Sequence, residues 1–258
     1  MTRTAVVTGS ASGIGKATAA LLTERGLDVI GVDLKDADIC ADLGTPEGRA
    51  AAVESVIERV GTSLDVVVPC AGISGANPAV PSVNYFGVVE LLTGLRPLLA
   101  AGADPRVALI SSVSSVHPTD QALVDACLAY DEAAARARSD ALMAQQMWAF
   151  LYSSSKAALA RWVRRTAITP EWADAGIALN AVAPGVVLTP MSAGLFEDPT
   201  MKSIMDQAVP MRLNSYAPPE AVATPLAFLT SPENTHITGQ VLFVDGGAEA
   251  TLRGETIW

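Results

Sequence analysis

The chain has 258 residues, with 27 Asp and Glu against 17 Lys and Arg, a formal net charge of -10. A hydrophobic share of 50% with 17% charged residues suits one large core and excludes a disordered chain. The negative charge, with no basic cluster to offset it, opposes partners such as nucleic acid or an anionic membrane.

No apolar run reaches bilayer-spanning length, and Met1-Thr-Arg-Thr leads straight into a strand pattern instead of a signal peptide. The expectation is a single cytoplasmic domain over residues 1–258, with no membrane association. Cys40, Cys70 and Cys127 are too few and too scattered for a disulfide framework or a zinc site. Only two histidines, His117 and His236, are present, so no metal is expected.

Short apolar runs alternate with longer helical stretches along most of the chain. A strand over Thr4–Thr8 precedes a helix over Gly13–Arg25 closed by Gly26, and a second strand, Asp28–Val32, ends at Asp33. Pro46 opens a helix to about Val60, since a first turn tolerates proline. A strand over Leu64–Val68, a helix over Tyr85–Ala100 and a strand over Arg106–Ile110 follow. The pattern closes with a helix over Phe150–Trp172 and strands over Ile177–Val182 and Gln240–Val244. Repeated βαβ units predict an α/β fold, a doubly wound parallel sheet of Rossmann type.

Two regions break the rhythm. Between Pro118 and Trp148, helix-starting signals at Thr119-Asp120 and Ser139-Asp140 predict two helices, a helical insertion between Ser112 and Tyr152 spanning about residues 117–149. The segment 191–211, bracketed by Pro199 and Pro210, is rich in Met191, Leu195, Phe196, Met201, Ile204 and Met205. These side chains fit two readings, a substrate lid walling a bulky apolar ketone or the core face of a short helix.

The first strand runs into Thr8-Gly9-Ser10-Ala11-Ser12-Gly13-Ile14-Gly15, and then into a helix. Glycines here allow a sharp turn and let a pyrophosphate approach helix-end N–H groups. Asp33, 18 residues after Gly15, is placed to accept hydrogen bonds from an adenosine ribose and to repel a 2'-phosphate, which favours NAD over NADP. A magnesium-phosphate loop is excluded, because Ala17 follows Lys16 where a hydroxyl is needed. Downstream, Tyr152-Ser-Ser-Ser-Lys156 sets a phenol and an ammonium one helical turn apart on one face. A fixed ammonium is expected to make the phenol a stronger acid, suited to moving a proton on a hydroxyl or carbonyl oxygen. His117, five residues past Ser112, lies outside any Gly-x-Ser-x-Gly elbow and reads as structural.

Taken in order, Thr8-Gly9-x-x-x-Gly13-x-Gly15, Cys70-Ala71-Gly72, Asn84, Ser112, Tyr152-x-x-x-Lys156, Pro184-Gly185 with Thr189, and Asp245-Gly246-Gly247 resemble the short-chain dehydrogenase/reductase family from Thr4 to Gly247. The family's Asn-Asn-Ala-Gly is here Pro69-Cys70-Ala71-Gly72. Asp42-Leu43, Ser82 to Gly87, Ile110 to Val113 and the 40 residues from Ser112 to Tyr152 are similar to its bacterial hydroxysteroid dehydrogenase and carbonyl reductase branch. The resemblance implies Tyr152 as proton donor or acceptor, Lys156 on the nicotinamide ribose, Ser112 on the substrate oxygen, and Asn84 holding a water beside Lys156. It implies cofactor contacts at Gly9, Ser12, Gly13, Ile14, Gly15, Asp33, Asp42, Leu43, Ala71, Gly72, Val187 and Thr189, with Asp42 equally readable as a solvated loop carboxylate. It further implies a small-molecule substrate, a bulky apolar alcohol or ketone, and a homo-oligomer whose interface the insertion alters by covering the Tyr152 helix. Hydroxysteroids, broader carbonyl substrates and a non-catalytic NAD-sensing module all stay open at this point.

Overall fold

The computed structural model describes residues 2–255, apart from the side chain of Leu195. Seven parallel strands form one sheet in the order β3-β2-β1-β4-β5-β6-β7. They are β1 Thr4–Thr8, β2 Asp28–Asp33, β3 Ile39–Cys40, β4 Val66–Pro69, β5 Arg106–Ile110, β6 Ala178–Pro184 and β7 Val241–Val244. The helices are α1 Gly13–Glu24, α2 Pro46–Val60, α3 Gly87–Ala100, α4 Gln121–Leu128, α5 Glu132–Ala144, α6 Ala149–Thr166, α7 Gly194–Glu197, α8 Pro199–Ala208, α9 Pro219–Leu229 and α10 Ala248–Arg253.

Alternation along the strands sorts the core into two layers. Val6, Val67, Val107, Leu109 and Leu179 point to one face, where they pack with α2, α3 and α6. Ala5, Val7, Val66, Val68 and Ala108 point to the other, with Leu22 of α1 and Val222 and Leu226 of α9. The chain winds from β1 outward through β2 and β3, then crosses to β4 and winds the other way. That reversal falls between β1 and β4, paired as Val6↔Val67 and Thr8↔Pro69, and it leaves a crevice at their carboxyl ends.

Several boundaries differ from the sequence pattern. The two-residue β3 is too short to carry a period. The helix expected to reach Trp172 ends at Thr166, because Pro170 cannot continue it and opens a separate wide turn over Pro170–Asp174. A wide turn of π type, Ser82–Phe86, precedes α3 and holds Asn84. Of the two insertion starts, Asp120 caps α4 by accepting from the Leu123 N–H, but α5 starts behind Asp131 and not at Ser139. Ser139 is buried within α5 and its hydroxyl bonds back to the Ala135 carbonyl, a use of serine that mimics a cap in sequence. Segment 191–211 contains two helices, α7 and α8.

The insertion belongs to the core. Leu123, Val124, Cys127, Ala135 and Leu142 are fully buried with α3 and α6. Asp120 N–H donates to Ser154 Oγ at 2.9 Å, Ser153 Oγ donates to the Pro118 carbonyl at 2.8 Å, and Arg165 donates to the Leu128 carbonyl at 2.7 Å. Buried Arg49 joins Glu90 of α3 to Glu132 of α5, at 2.7 and 2.5 Å. The α4 helix therefore covers α6 along one side. No helix among the described residues is long and apolar enough to cross a membrane.

Tyr85, fully buried beside Phe86 and Tyr130, carries a hydroxyl with no hydrogen-bond partner among the described residues. Replacing both the unpaired group and its desolvation cost with hydrogen is favourable. Tyr85→Phe is expected to raise stability by up to about 1 kcal/mol, read as a higher urea midpoint at unchanged slope.

Candidate active site

The turn after β1 is shaped by what glycine alone allows. Gly9 sits at φ +67°, and a Cβ there would lie 2.9 Å from the Ala71 backbone nitrogen; one on Gly15 would lie 2.2 Å from the Gly9 carbonyl oxygen. Thr8 Oγ1 accepts from the Ala71 N–H at 3.0 Å, which ties the ends of β1 and β4 together. Asp33 spans the next gap: one carboxylate oxygen accepts from Ala11 N–H at 3.0 Å and the other from Leu34 N–H at 2.7 Å. It thus pins the turn as well as ending β2.

The start of α1 is left open. Ser12, its N-cap residue, makes no side-chain cap, and the first turn carries no acid, whereas Thr45, Asp120 and Asp131 cap α2, α4 and α5. Helix-end N–H groups without a capping side chain, above a turn stripped of side chains, fit the diphosphate of a dinucleotide. Gly13 faces Thr189, whose Cγ2 would lie 3.2 Å from a Cβ on the glycine, so two stretches far apart in sequence meet there. Thr189 N–H donates to Ser192 Oγ at 3.0 Å, and Ser192 Oγ donates to the Val187 carbonyl at 2.6 Å. Ile14 packs partly into the α1 side of the core. Leu43 is buried against Gly87, and Asp42 is exposed and accepts from the N–H of Gly44 in its own loop.

The second half of the site is built on α6 and β5. Lys156 is buried, and its ammonium donates to the Ile110 carbonyl at 2.8 Å, at the carboxyl end of β5. It lies 3.8 Å from where a side chain on Gly72 would begin, and Asn84 Oδ1 lies 3.2 Å from the same point. Burial lowers the lysine pKa to about 8, with Cys70 opposing the shift. Burial likewise pushes the Cys70 thiol up to about 12, against the pull of Lys156 and Thr18. Ser112 Oγ accepts from the Ser114 N–H at 3.1 Å, capping the short turn Val113–Val116.

One expectation is corrected here. The Tyr152 phenol is shifted up by burial, with hydrogen bonding to Ser112 as the opposing effect, instead of down as expected from Lys156. The Lys156 ammonium lies 5.7 Å from the ring centroid and donates to the Ile110 carbonyl. The Asn84 side chain is bonded to the loop: Oδ1 accepts from Ile73 N–H at 2.8 Å, and Nδ2 donates to the Ile73 carbonyl at 2.9 Å and to Ser155 Oγ at 3.3 Å. It clamps the loop after β4.

A cavity of about 410 Å³ opens against Tyr152, lined by Ser114, His117, Pro118, Ala149, Phe150, Ser153, Ala208 and Leu252. Among the described side chains expected to wall the substrate, Met191, Phe196 and Met205 do not line it. Met191 is exposed, Phe196 stacks on Tyr216 at 5.0 Å, and Met205 is buried beneath α8; the Leu195 side chain lies outside the described residues. The lining comes from the short turn after Ser112, the start of α6, the end of α8 and α10. The sequence signal available for it was proximity, since Phe150 and Ser153 flank Tyr152 and His117 follows Ser112. Among the described residues no cluster of three or more His, Cys, Asp or Glu could hold a metal.

Comparison with known proteins agrees with this architecture. The short chain dehydrogenase family model matches residues 3–124, and the model described as enoyl-(acyl carrier protein) reductase matches residues 137–249. The 3-alpha-hydroxysteroid dehydrogenase/carbonyl reductase of Comamonas testosteroni is 36% identical, the match covering 96% of this chain and 97% of that one. The cis-4-hydroxycyclohexanecarboxylate dehydrogenase of Sinomonas cyclohexanicum is 35% identical over 96% of this chain and 97% of its own. The crystal structure of the 3-alpha-hydroxysteroid dehydrogenase from Pseudomonas sp. B-0831 complexed with NADH superposes with a TM-score of 0.88 at 41% identity, covering 98% of this chain and 100% of that one. The chain belongs to the short-chain dehydrogenase/reductase family and is an oxidoreductase.

The buried lysine has a measurable signature. Below about pH 8 the folded chain carries a desolvated ammonium, whereas the unfolded chain keeps its proton up to its ordinary value near 10.5. Between those values the unfolded state binds more protons, so stability attributable to this group rises with pH. Denaturation of the native chain and Lys156→Met from pH 7.5 to 10.5 is expected to show the difference moving steadily in favour of the native chain.

Proposed function

We propose that the chain interconverts a secondary alcohol and a ketone with NAD(H), on a bulky apolar substrate of hydroxysteroid type. One observation carries the reading: Tyr152 opens on an apolar cavity while Lys156, one turn along the same helix, reaches Gly72 at the cofactor crevice. Bound nicotinamide supplies or accepts the hydride at the alcohol carbon. Tyr152 takes the hydroxyl proton in oxidation and returns it to the ketone oxygen in reduction. Ser112 donates to the same oxygen and steadies charge that develops there. Lys156 holds ribose hydroxyls with the ammonium hydrogens not given to Ile110, and Asn84 acts as a positioning residue through Ile73 and Gly72.

The open start of α1, with Gly9, Ser12, Gly13, Ile14, Gly15, Ala71, Gly72, Val187 and Thr189, would hold the dinucleotide, with Asp42 and Leu43 at its adenine end. Asp33 favours NAD, since its carboxylate repels a 2'-phosphate, and the NADH in the Pseudomonas relative supports this. The relatives named for a hydroxysteroid and for a hydroxycyclohexanecarboxylate both act on cyclic alcohols, which fits a compact apolar cavity. A broader carbonyl reductase would use the same residues. A dinucleotide-sensing module without turnover is disfavoured by the cavity at Tyr152.

Activity is tested by following nicotinamide absorbance with hydroxysteroids, alicyclic alcohols and ketones and with NAD(H) and NADP(H). Tyr152→Phe is expected to lower kcat by at least ~100-fold while leaving NADH binding intact; unchanged kcat would overturn the assignment. A homo-oligomer is proposed as well, formed through a face other than α6, which α4 covers. Light scattering of a variant with residues 119–148 replaced by a short loop checks it, and unchanged association would count against that role for the insertion.

A further inference from the structure

We propose that His117 is a specificity-determining residue: it latches α8 over the cavity and so sets which substrates fit and how fast they exchange. This rests on reading the cavity beside Tyr152 as the substrate site. His117 Nε2 lies 3.0 Å from the carbonyl oxygen of Ala208, the last residue of α8, and both residues line the cavity. A carbonyl only accepts, so Nε2 carries the proton and the imidazole is the donor. The acceptor belongs to a helix end, where carbonyls lack helical partners and carry partial negative charge.

The bond matters because little else holds α8. Of its ten residues only Met205 is buried, while Met201 and Ile204 are exposed. Its remaining side-chain bonds stay within the helix, at its Asp198 cap, or on Tyr216, which donates to Asp206. Among the described residues, the His117 bond alone joins α8 to the side of the cavity that carries Ser112 and Tyr152. An element with so little buried surface opens at low free energy, so one hydrogen bond is a large share of what closes it.

The flanks are anchored. Ser192 stitches Val187 to Thr189 before α7, and after α8 the Met211 sulfur accepts from Val186 N–H at 3.2 Å while Arg212 and Leu213 N–H donate to the Gly246 carbonyl. Asp198 caps α8 independently of the latch, so the helix stays formed when the latch parts. His117 also ends the short turn that Ser112 caps, so the latch is built onto the element that positions a substrate donor.

The test uses the full chain as native, His117→Ala and His117→Gln, the glutamine amide offering an N–H near the position of Nε2. Two readouts are taken: hydrogen exchange of residues 199–208, and kinetics with cyclohexanol as a small alcohol and a 3α-hydroxysteroid as a bulky one. His117→Ala is expected to speed exchange in α8 about tenfold with α4 unchanged, and to raise KM several-fold for the steroid but not for cyclohexanol, with kcat equal or higher. His117→Gln is expected to restore much of both. Unchanged exchange in α8, equal KM shifts for the two alcohols, or a glutamine variant no better than alanine would each overturn the proposal. If the native chain oxidises neither alcohol, the functional reading fails, and the exchange data still decide whether the latch exists.

Discussion

A buried ammonium is the constraint around which the site is arranged. Lys156 is 3% exposed, yet among the described residues it has one acceptor, the Ile110 carbonyl, for three N–H donors. A desolvated charge with unfilled donors is unfavourable by itself, and burial registers that cost in the lowered pKa. The surroundings are organised to keep it there: α6 is buried over most of its length from Leu151 to Val163, Ser111 donates to the Lys156 backbone carbonyl, and Gly72 leaves room beside the side chain. Stability is given up locally so that donors remain for a ligand, the usual sign of a functional site.

The same logic explains Tyr152. Hydrogen bonding to Ser112 opposes burial at the phenol but does not outweigh it, so the pKa lies above its ordinary value and the hydroxyl keeps its proton. That is the form needed to donate to a carbonyl oxygen, and removing the proton in the other direction requires further positive charge close by. Motif spacing suggested that Lys156 supplies this charge directly. The geometry assigns the lysine first to the backbone and to the cofactor crevice, and the phenol to the cavity, so the two share a helix face without sharing a proton.

The sheet was readable because β-branched runs and glycine turns carry strong local signals: β1, β2 and β5 fall where the pattern puts them, and Gly9 and Gly15 occupy positions where a Cβ would collide with backbone. Reading failed where tertiary contacts decide. Ser139 has the composition of a cap but bonds back within α5, and α6 stops before Pro170 although its apolar pattern runs on. The cavity lining was not legible for a related reason. Met and Phe on 191–211 mark apolar surface without telling which way it faces, and α8 turns Met205 inward beneath itself while its last carbonyl reaches the cavity. His117 was passed over because its partner lies 91 residues away.

The insertion and α8 show two opposite ways of bordering one cavity. The insertion contributes fully buried side chains from Leu123 to Leu142, Glu132 on the buried Arg49 of α2, and four hydrogen bonds onto α6, so the wall it supports moves only if the core does. The α8 side offers one buried methionine and one imidazole hydrogen bond. Under the proposed function, a rigid wall behind Tyr152 and Ser112 would keep the proton donors in place between turnovers, which proton transfer over hydrogen-bond distances requires. A weakly held wall opposite would let a bulky apolar substrate enter without disturbing them. The division follows from where each segment's apolar residues are spent, and it places exchange and chemistry on separate elements of the same fold.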